Sequence, residues 1–202
     1  MEIQSHDLYG DFSREEAKLR FPELNDIRDE ELREMTIGVV QNMPDYFWTA
    51  PAAKRHHPPE HRQRHGLWLY SKRVCTSFER VTQSMVKQGH LSWEDIDMGR
   101  SACIIKEIFK HGMPPTSVTS PQNNHDILAA NWLEDNTEMP QKVVGCVRAQ
   151  NGAWYEGRNP QNHLEQMVHV ADLYASDTNN HVAVKDLHPV LEDAFPRVED
   201  DE

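Results

Sequence analysis

Between residues 61 and 88 apolar side chains return at every third or fourth position: Leu67, Val74, Cys75, Phe78, Val81 and Met85. This is the period of an α-helix, and Gly89 marks its end. A helix this long with one apolar stripe needs other elements to cover it, because its stability in water comes from packing more than from propensity. The rest of the chain offers the same kind of partner. Strand-like alternation is almost absent, so the reading is an all-α domain, a compact bundle of about six to eight helices.

The other helices carry their own punctuation. Ser13 with Glu16 has the spacing of a capping box, and Pro22 and Asn25-Asp26 interrupt the helix it opens. Asp29 caps a second helix bearing Leu32, Met35, Val39 and Val40, which Pro44 ends. The aromatic run Tyr46-Phe47-Trp48 either forms a partner surface or closes over the core, and the core is the preferred reading. A proline-rich connection follows through Pro51, Pro58 and Pro59, leading to the helix of residues 61–88. Ser92 with Asp95 opens the next, with Ile96, Ala102, Cys103, Ile105 and Phe109 on its apolar side, and Gly112 with Pro114-Pro115 closes it. A Thr/Ser/Pro loop runs to Ser120, and Pro121 suits a first helical position. Two helices then carry Ile127 to Leu133 and Val143 to Val147. Asn151-Gly152 marks a turn, Asn159-Pro160 precedes a helix with Leu164, Met167, Val168 and Ala171, and Glu199-Asp200-Asp201-Glu202 reads as a frayed tail. The organisation is therefore an N-terminal helical extension (1–44), a helical domain (45–180) and an acidic tail (181–202).

Charge narrows the function. With 33 acidic against 21 basic residues the formal net charge is −12, which repels phosphate backbones and argues against nucleic acid as a partner. An acidic excess also suits a salt-rich cytoplasm. The exception is a basic strip, Lys54-Arg55-His56-His57 through Arg62 and Arg64, which either faces a phosphorylated small molecule or is a solvated turn. Cys75, Cys103 and Cys146 lie on apolar stretches with no Cys-x-x-Cys spacing, so they read as buried hydrophobes in a reducing compartment. The first residues lack the charge and apolar pattern of a signal peptide, and no apolar run reaches membrane-spanning length. The expected location is cytoplasmic, or in a particle assembled in the cytoplasm, and not secreted.

Three places can carry chemistry. His61 and His65 stand four apart at a helix start and would share one face. Asp172 lies among Val170, Ala171 and Leu173, where an unpaired carboxylate would be costly; it either has a partner or caps and salt-bridges at the helix edge. Lys106-Glu107 sits inside the run Ala102 to Phe109, as an interior polar site or as a narrow solvated face.

Residues 45–177 resemble the HD superfamily of metal-dependent phosphohydrolases, particularly small haloarchaeal and haloarchaeal-virus members. The resemblance rests on Asp45-Tyr-Phe-Trp, His56-His57-Pro, His65-Gly-Leu-Trp, Phe109-Lys-His-Gly112, His125-Asp126, Asn151-Gly-Ala-Trp-Tyr-Glu-Gly157 and His169-Val-Ala-Asp172. It implies an HD-like helical fold and a divalent metal (Mn, Fe, Ni, Zn or Mg) held by a first His, a central His-Asp pair and a distant Asp. Here the central pair is replaced by Lys106-Glu107, and a further expected His is Gln150. His65, Glu107, His125 and Asp172 would hold a metal if one is retained. An ammonium has no lone pair and repels a divalent cation by several kcal/mol at an effective dielectric near 20. The alternatives are a Lys106 made neutral by burial or an ammonium that replaces the metal and pairs with Glu107 and Asp172, and the second is preferred.

Three functions follow from the resemblance. The preferred one is a degenerate HD protein with Lys106-Glu107 as a vestigial site, no cofactor, and a structural or interaction role with a protein partner or a second copy. The second is a divergent metal phosphohydrolase acting on a nucleotide or another phosphoester. The third is a nucleotide-binding module using the strip around Arg55 and Arg64.

Overall fold

The computed structural model describes residues 12–115, 117, 121–154, 157–184 and 186–195. The acidic tail at 199–202, the chain start, Ser120 and the Tyr155-Glu156 part of the Asn-Gly motif lie outside the described residues. Among those described there are nine α-helices and no β-strand. They are α1 (Arg14–Arg20), α2 (Glu30–Gln41), α3 (Asp45–Thr49), α4 (Gly66–Lys87), α5 (Trp93–Ile105), α6 (His125–Asn136), α7 (Gln141–Arg148), α8 (His163–Ser176) and α9 (Pro189–Ala194). Short 3-10 turns occupy Pro22–Asp26, Pro59–Arg62 and Gly152–Trp154. The all-α class read from periodicity is the class observed.

The caps form where the side chains predict them. Ser13 accepts from the Glu16 amide, Asp29 from Leu32, and Ser92 and Asp95 close a reciprocal capping box, each satisfying amides that the first helical turn leaves unpaired. α4 is the hub, packed against α5 and α8 as well as α3 and the Pro59–Arg62 turn. Its first half is buried on nearly all sides, including Ser71 and Ser77. These two serines survive there because their hydroxyls donate to carbonyls four residues back, Leu67 and Arg73, leaving neither hydroxyl unpaired.

The hydrophobic core is continuous across the boundary at residue 44. Phe21 packs its ring against Phe47 and Trp48, and Trp48 meets Trp68 edge-on at 5.2 Å. Tyr46, Phe47 and Trp48 are buried, which resolves that run in favour of the core. Lys72 is fully buried and donates to both carboxylate oxygens of Glu23 at 2.7 and 2.8 Å, tying the Pro22–Asp26 turn to α4. Leu191 of α9 is also buried, so part of the segment drawn as a tail joins the core.

Three boundaries differ from those read in the sequence. The helix expected from His61 begins at Gly66. His61 belongs to the preceding 3-10 turn, and His65 adopts a left-handed φ of 65° between them. Gly66 presses its Cα against the turn so closely that a Cβ would stand 2.3 Å from the His61 carbonyl oxygen. His61 and His65 therefore do not share a helix face. α5 stops at Ile105, not beyond Phe109, because Ile108, Lys110 and Gly112 each bond the carbonyl three residues back and wind the chain into successive tight turns. α6 starts at His125, not Pro121, because the Gln122 amide is drawn to the Lys110 carbonyl at 2.9 Å.

Two helical glycines separate packing from propensity. Gly38 in α2 has nothing within 4 Å of a built Cβ, whereas at Gly99 in α5 that atom would lie 2.1 Å from the Phe78 ring. Gly38→Ala is expected to raise the unfolding free energy by about 0.5–1 kcal/mol. Gly99→Ala is expected to lower it by about 1–3 kcal/mol. Urea denaturation of the two variants beside the parent protein measures both, and the opposite ordering would contradict the packing described here.

Candidate functional site: a buried charge centre

The turns after α5 place Lys106, Glu107 and Lys110 on the inside of the molecule. Lys106 has no exposed surface, and its ammonium donates to Glu107 Oε1 at 2.6 Å, to the Gln150 side-chain oxygen at 3.0 Å and to Asp172 Oδ1. The same Asp172 oxygen accepts the Tyr70 hydroxyl of α4. The Gln150 amide returns a bond to the Lys106 carbonyl at 2.8 Å, so the glutamine grips both ends of the lysine. Lys110 stands 3.0 Å from the other oxygen of Glu107, and both ammonium groups lie just over 5 Å from the Tyr70 ring centroid, within cation–π range.

Two ammonium groups and two carboxylates make the centre electrically neutral, provided that the histidines beside it carry no charge. Burial and then the Lys110 charge hold His125 down to about 4, and the same two causes hold His57 down to about 4. Burial would by itself release the proton of Lys106, but Asp172 and Glu107 outweigh it and leave the ammonium more firmly protonated than a free lysine. Burial would push Glu107 up, yet Lys106, Lys110 and His125 keep its carboxyl well below the ordinary range. Tyr70 is driven well above the ordinary phenol value by burial and by the neighbouring carboxylates. Near neutral pH Lys106 therefore has no free lone pair to act as a nucleophile. Glu107 accepts from Lys106 and faces Lys110, and Asp172 accepts from Lys106 and the Tyr70 phenol.

Of the residues singled out in the sequence, the structure brings Lys106, Glu107, His125 and Asp172 together. His125 opens α6, donates from Nδ1 to the Gln122 carbonyl at 2.6 Å, and turns Nε2 toward Glu107 Oε2 at 3.5 Å. His65 is elsewhere in its bonding: its Nδ1–H donates to the Trp48 carbonyl at 2.6 Å, and it makes no hydrogen bond or ion pair with the other three. Besides His125, the imidazole beside the centre is His57, edge-on to the Tyr70 ring at 4.7 Å. Its neighbour His61 is fully buried and meets Arg73 at 2.8 Å. His57, Tyr70 and Lys110 went unread in the sequence as parts of this centre. Only Lys110 left a signal there, three and four positions beyond Glu107 and Lys106.

Among the described residues, no group of three or more His, Cys, Asp or Glu side chains is placed to hold a metal ion, and no helix is long and apolar enough to cross a membrane. Lys54, Arg55, Arg62 and Arg64 are exposed, and Arg62 reaches back to the His57 carbonyl at 2.5 Å. Comparison of the chain with protein-family models, with curated proteins and with solved structures returns no match.

Two outcomes follow from the burial. Lys106→Met leaves the buried Glu107 carboxylate and the partly buried Asp172 carboxylate without the ammonium between them, and chemical denaturation at neutral pH is expected to register a loss of about 3–5 kcal/mol. The second concerns pH. His57 and His125 have folded-state values near 4, and burial and then Arg73 hold His61 down to about 2, against 6.5 when unfolded. As pH falls below 6.5 the unfolded chain takes up protons that the folded chain refuses, so stability decreases down to about 4. Glu107, whose value is depressed, adds stability that is complete above 4.5 and is lost only below it. Urea midpoints are therefore expected to drop between pH 7 and pH 4.5, with a shallower slope in His57→Phe, and an unchanged midpoint would contradict neutral buried imidazoles.

Proposed function

We propose that this protein is a helical scaffold of HD type that has no metal-dependent hydrolysis and acts through structural or interaction roles. One observation carries the reading: the Lys106 ammonium stands between Glu107 and Asp172, in the place where the resemblance would put a cation bound by the same carboxylates. A divalent ion entering within 4 Å of that ammonium would meet a repulsion of about 8 kcal/mol at an effective dielectric of 20. The residues present do not fit a metal, since the Lys106 ammonium already stands between Glu107 and Asp172 and His65 is committed to a backbone carbonyl. An interaction role agrees with the large apolar side chains left on the surface, Trp154 above all at 75% exposure and Leu173 and Tyr174 on α8, although scattered exposed apolar residues are ordinary on their own.

Elemental analysis of protein purified without chelator tests the reading directly. The expected result is no stoichiometric Mn, Fe, Ni, Zn or Mg, and no thermal stabilisation when any of these ions is added. Stoichiometric metal that disappears in Asp172→Asn would overturn it and would favour the phosphohydrolase reading, with hydrolysis of nucleotide and simple phosphoester substrates as the assay.

A further inference from the structure

The basic loop of residues 52–65 is fastened to the body of the protein by few contacts. Ala52 donates its amide to the His61 carbonyl at 2.8 Å, closing the loop on itself, and the His65 amide reaches the Thr49 carbonyl at 3.1 Å. Lys54, Arg55, His56, Arg62 and Arg64 are exposed, and the hydrocarbon that the loop buries is that of Ala52, Ala53 and Pro58. His56 and His65 both hold a left-handed φ of 65°, a conformation that costs free energy in any residue but glycine. Segments with so little buried apolar surface open before the rest of a fold.

His61 is wholly buried beneath this loop, and its hydrogen bonds fix where the protons lie. Arg73 of α4 can only donate, so its contact at 2.8 Å makes His61 Nε2 the acceptor. His61 therefore carries its proton on Nδ1 and turns it toward His57 Nδ1 at 3.4 Å, and His57 keeps its own proton on Nε2. Each imidazole has one lone pair, and a donor already fills it. A further proton on either ring would set N–H against N–H. The surrounding charges oppose that proton as well, since Arg73 and Lys110 lie within range of His61, and Lys110 and Lys106 within range of His57. Glu107 and Asp172 are the carboxylates that attract a proton to His57, but Lys106 engages both. Glu60 is bound to Arg73 at 3.0 Å, with His181 in range of it. Tyr70 packs its ring against both imidazoles and gives its hydroxyl to Asp172.

We propose that residues 52–65 form an acid-released latch, in which proton uptake by His61 and His57 frees the loop while the helices beneath it stay folded. Opening withdraws both rings into water, where histidine titrates in its ordinary range. It also adds two positive charges to a loop that already carries Lys54, Arg55, Arg62 and Arg64, and this repulsion opposes reclosure. Folded, His57 titrates near 4 and His61 near 2, against 6.5 in the open loop. The closed form is therefore favoured fully above 6.5, and acid below that value draws the equilibrium to the open form. Release of the loop is independent of whether the Lys106 centre holds metal, so its failure would leave the metal-free reading standing.

Residue-resolved hydrogen exchange of the full chain at pH 7 and pH 5, corrected for the intrinsic rate at each pH, is the test. The Ala52 and His61 amides report the loop, and the Cys103 amide of α5 and the Val147 amide of α7 report the body. The loop amides are expected to be at least about tenfold less protected than the body amides at both pH values. Between pH 7 and pH 5 they are expected to lose protection by roughly several hundredfold, about twentyfold for each of the two histidines. In His61→Gln, whose side-chain oxygen can still accept from Arg73 but which does not titrate, the loss is expected to shrink to about twentyfold. Three results would each overturn the inference: loop amides as protected as the body at both pH values, loop protection that does not fall with pH, or the full loss retained in His61→Gln. Imidazole nitrogen chemical shifts of the parent protein decide the matter even if the variant folds poorly. They are expected to show His61 protonated on Nδ1 and bare on Nε2 at neutral pH, and the reverse tautomer would overturn the latch.

Discussion

A single ammonium with no exposed surface, Lys106, joins parts of the chain that are otherwise distant: the end of α5, the Gln150 turn and Asp172 of α8, with Tyr70 of α4 bonded to the same carboxylate. Taking two ammonium groups and two carboxylates out of water costs several kcal/mol per ion, and their attraction offsets this only where the geometry is good and every remaining donor finds an acceptor. Here the donors of Lys106 end on three oxygens. The segments that supply those oxygens, the turn after α5, the Gln150 turn and α8, cannot slide independently without uncovering a charge. Electroneutrality in the interior thus acts as a register for the bundle, in the manner of a polar residue that fixes alignment in a helical assembly.

Much of this was legible in the chain itself. Capping side chains at Ser13, Asp29 and Ser92 announced helix starts because the relevant bond spans only three residues. Periodicity alone leaves Lys106 and Glu107 as an interior polar site or a narrow solvated face, and only the resemblance, which puts a cation beside Asp172, suggests that the ammonium pairs with Glu107 and Asp172. What was not legible depends on contacts remote in sequence. The choice of His57 over His65 follows from left-handed backbone at His56 and His65 and from the closeness of Gly66 to the His61 carbonyl, which periodicity cannot carry. Lys110 turns inward only because the chain beyond Ile105 tightens from an α-helix into i→i+3 turns. The Lys72–Glu23 pair was missed for a related reason: on a helical wheel a lysine suggests a solvated face, and nothing local says that the Pro22–Asp26 turn covers it.

The molecule also distributes its polarity in two ways. Inside, charges are matched nearly one for one, at Lys106 with Asp172 and Glu107 and at Lys72 with Glu23. Outside, the acidic excess of the chain is interrupted by the exposed basic loop of Lys54, Arg55, Arg62 and Arg64. That loop is fastened at both ends, by Ala52 to His61, His65 to Thr49 and Leu67 to Ala50, so its charges ride on an ordered support. Solubility is served by the acidic surface, and specificity of fold by the interior pairs.

The Lys72–Glu23 contact has a bearing on how the chain can be divided. Lys72 is wholly enclosed by α4 and its neighbours, while its counter-charge comes from a turn some fifty residues earlier in sequence. A fragment beginning after residue 44 would keep the lysine and lose the glutamate, together with the Phe21 ring that packs on Phe47 and Trp48. It would retain every residue of the charge centre and yet carry an orphaned cation in its largest helix. The smallest autonomous unit of this protein is thus set by the reach of its buried ion pairs, and it extends well to the N-terminal side of the segment that carries its distinguishing sequence motifs.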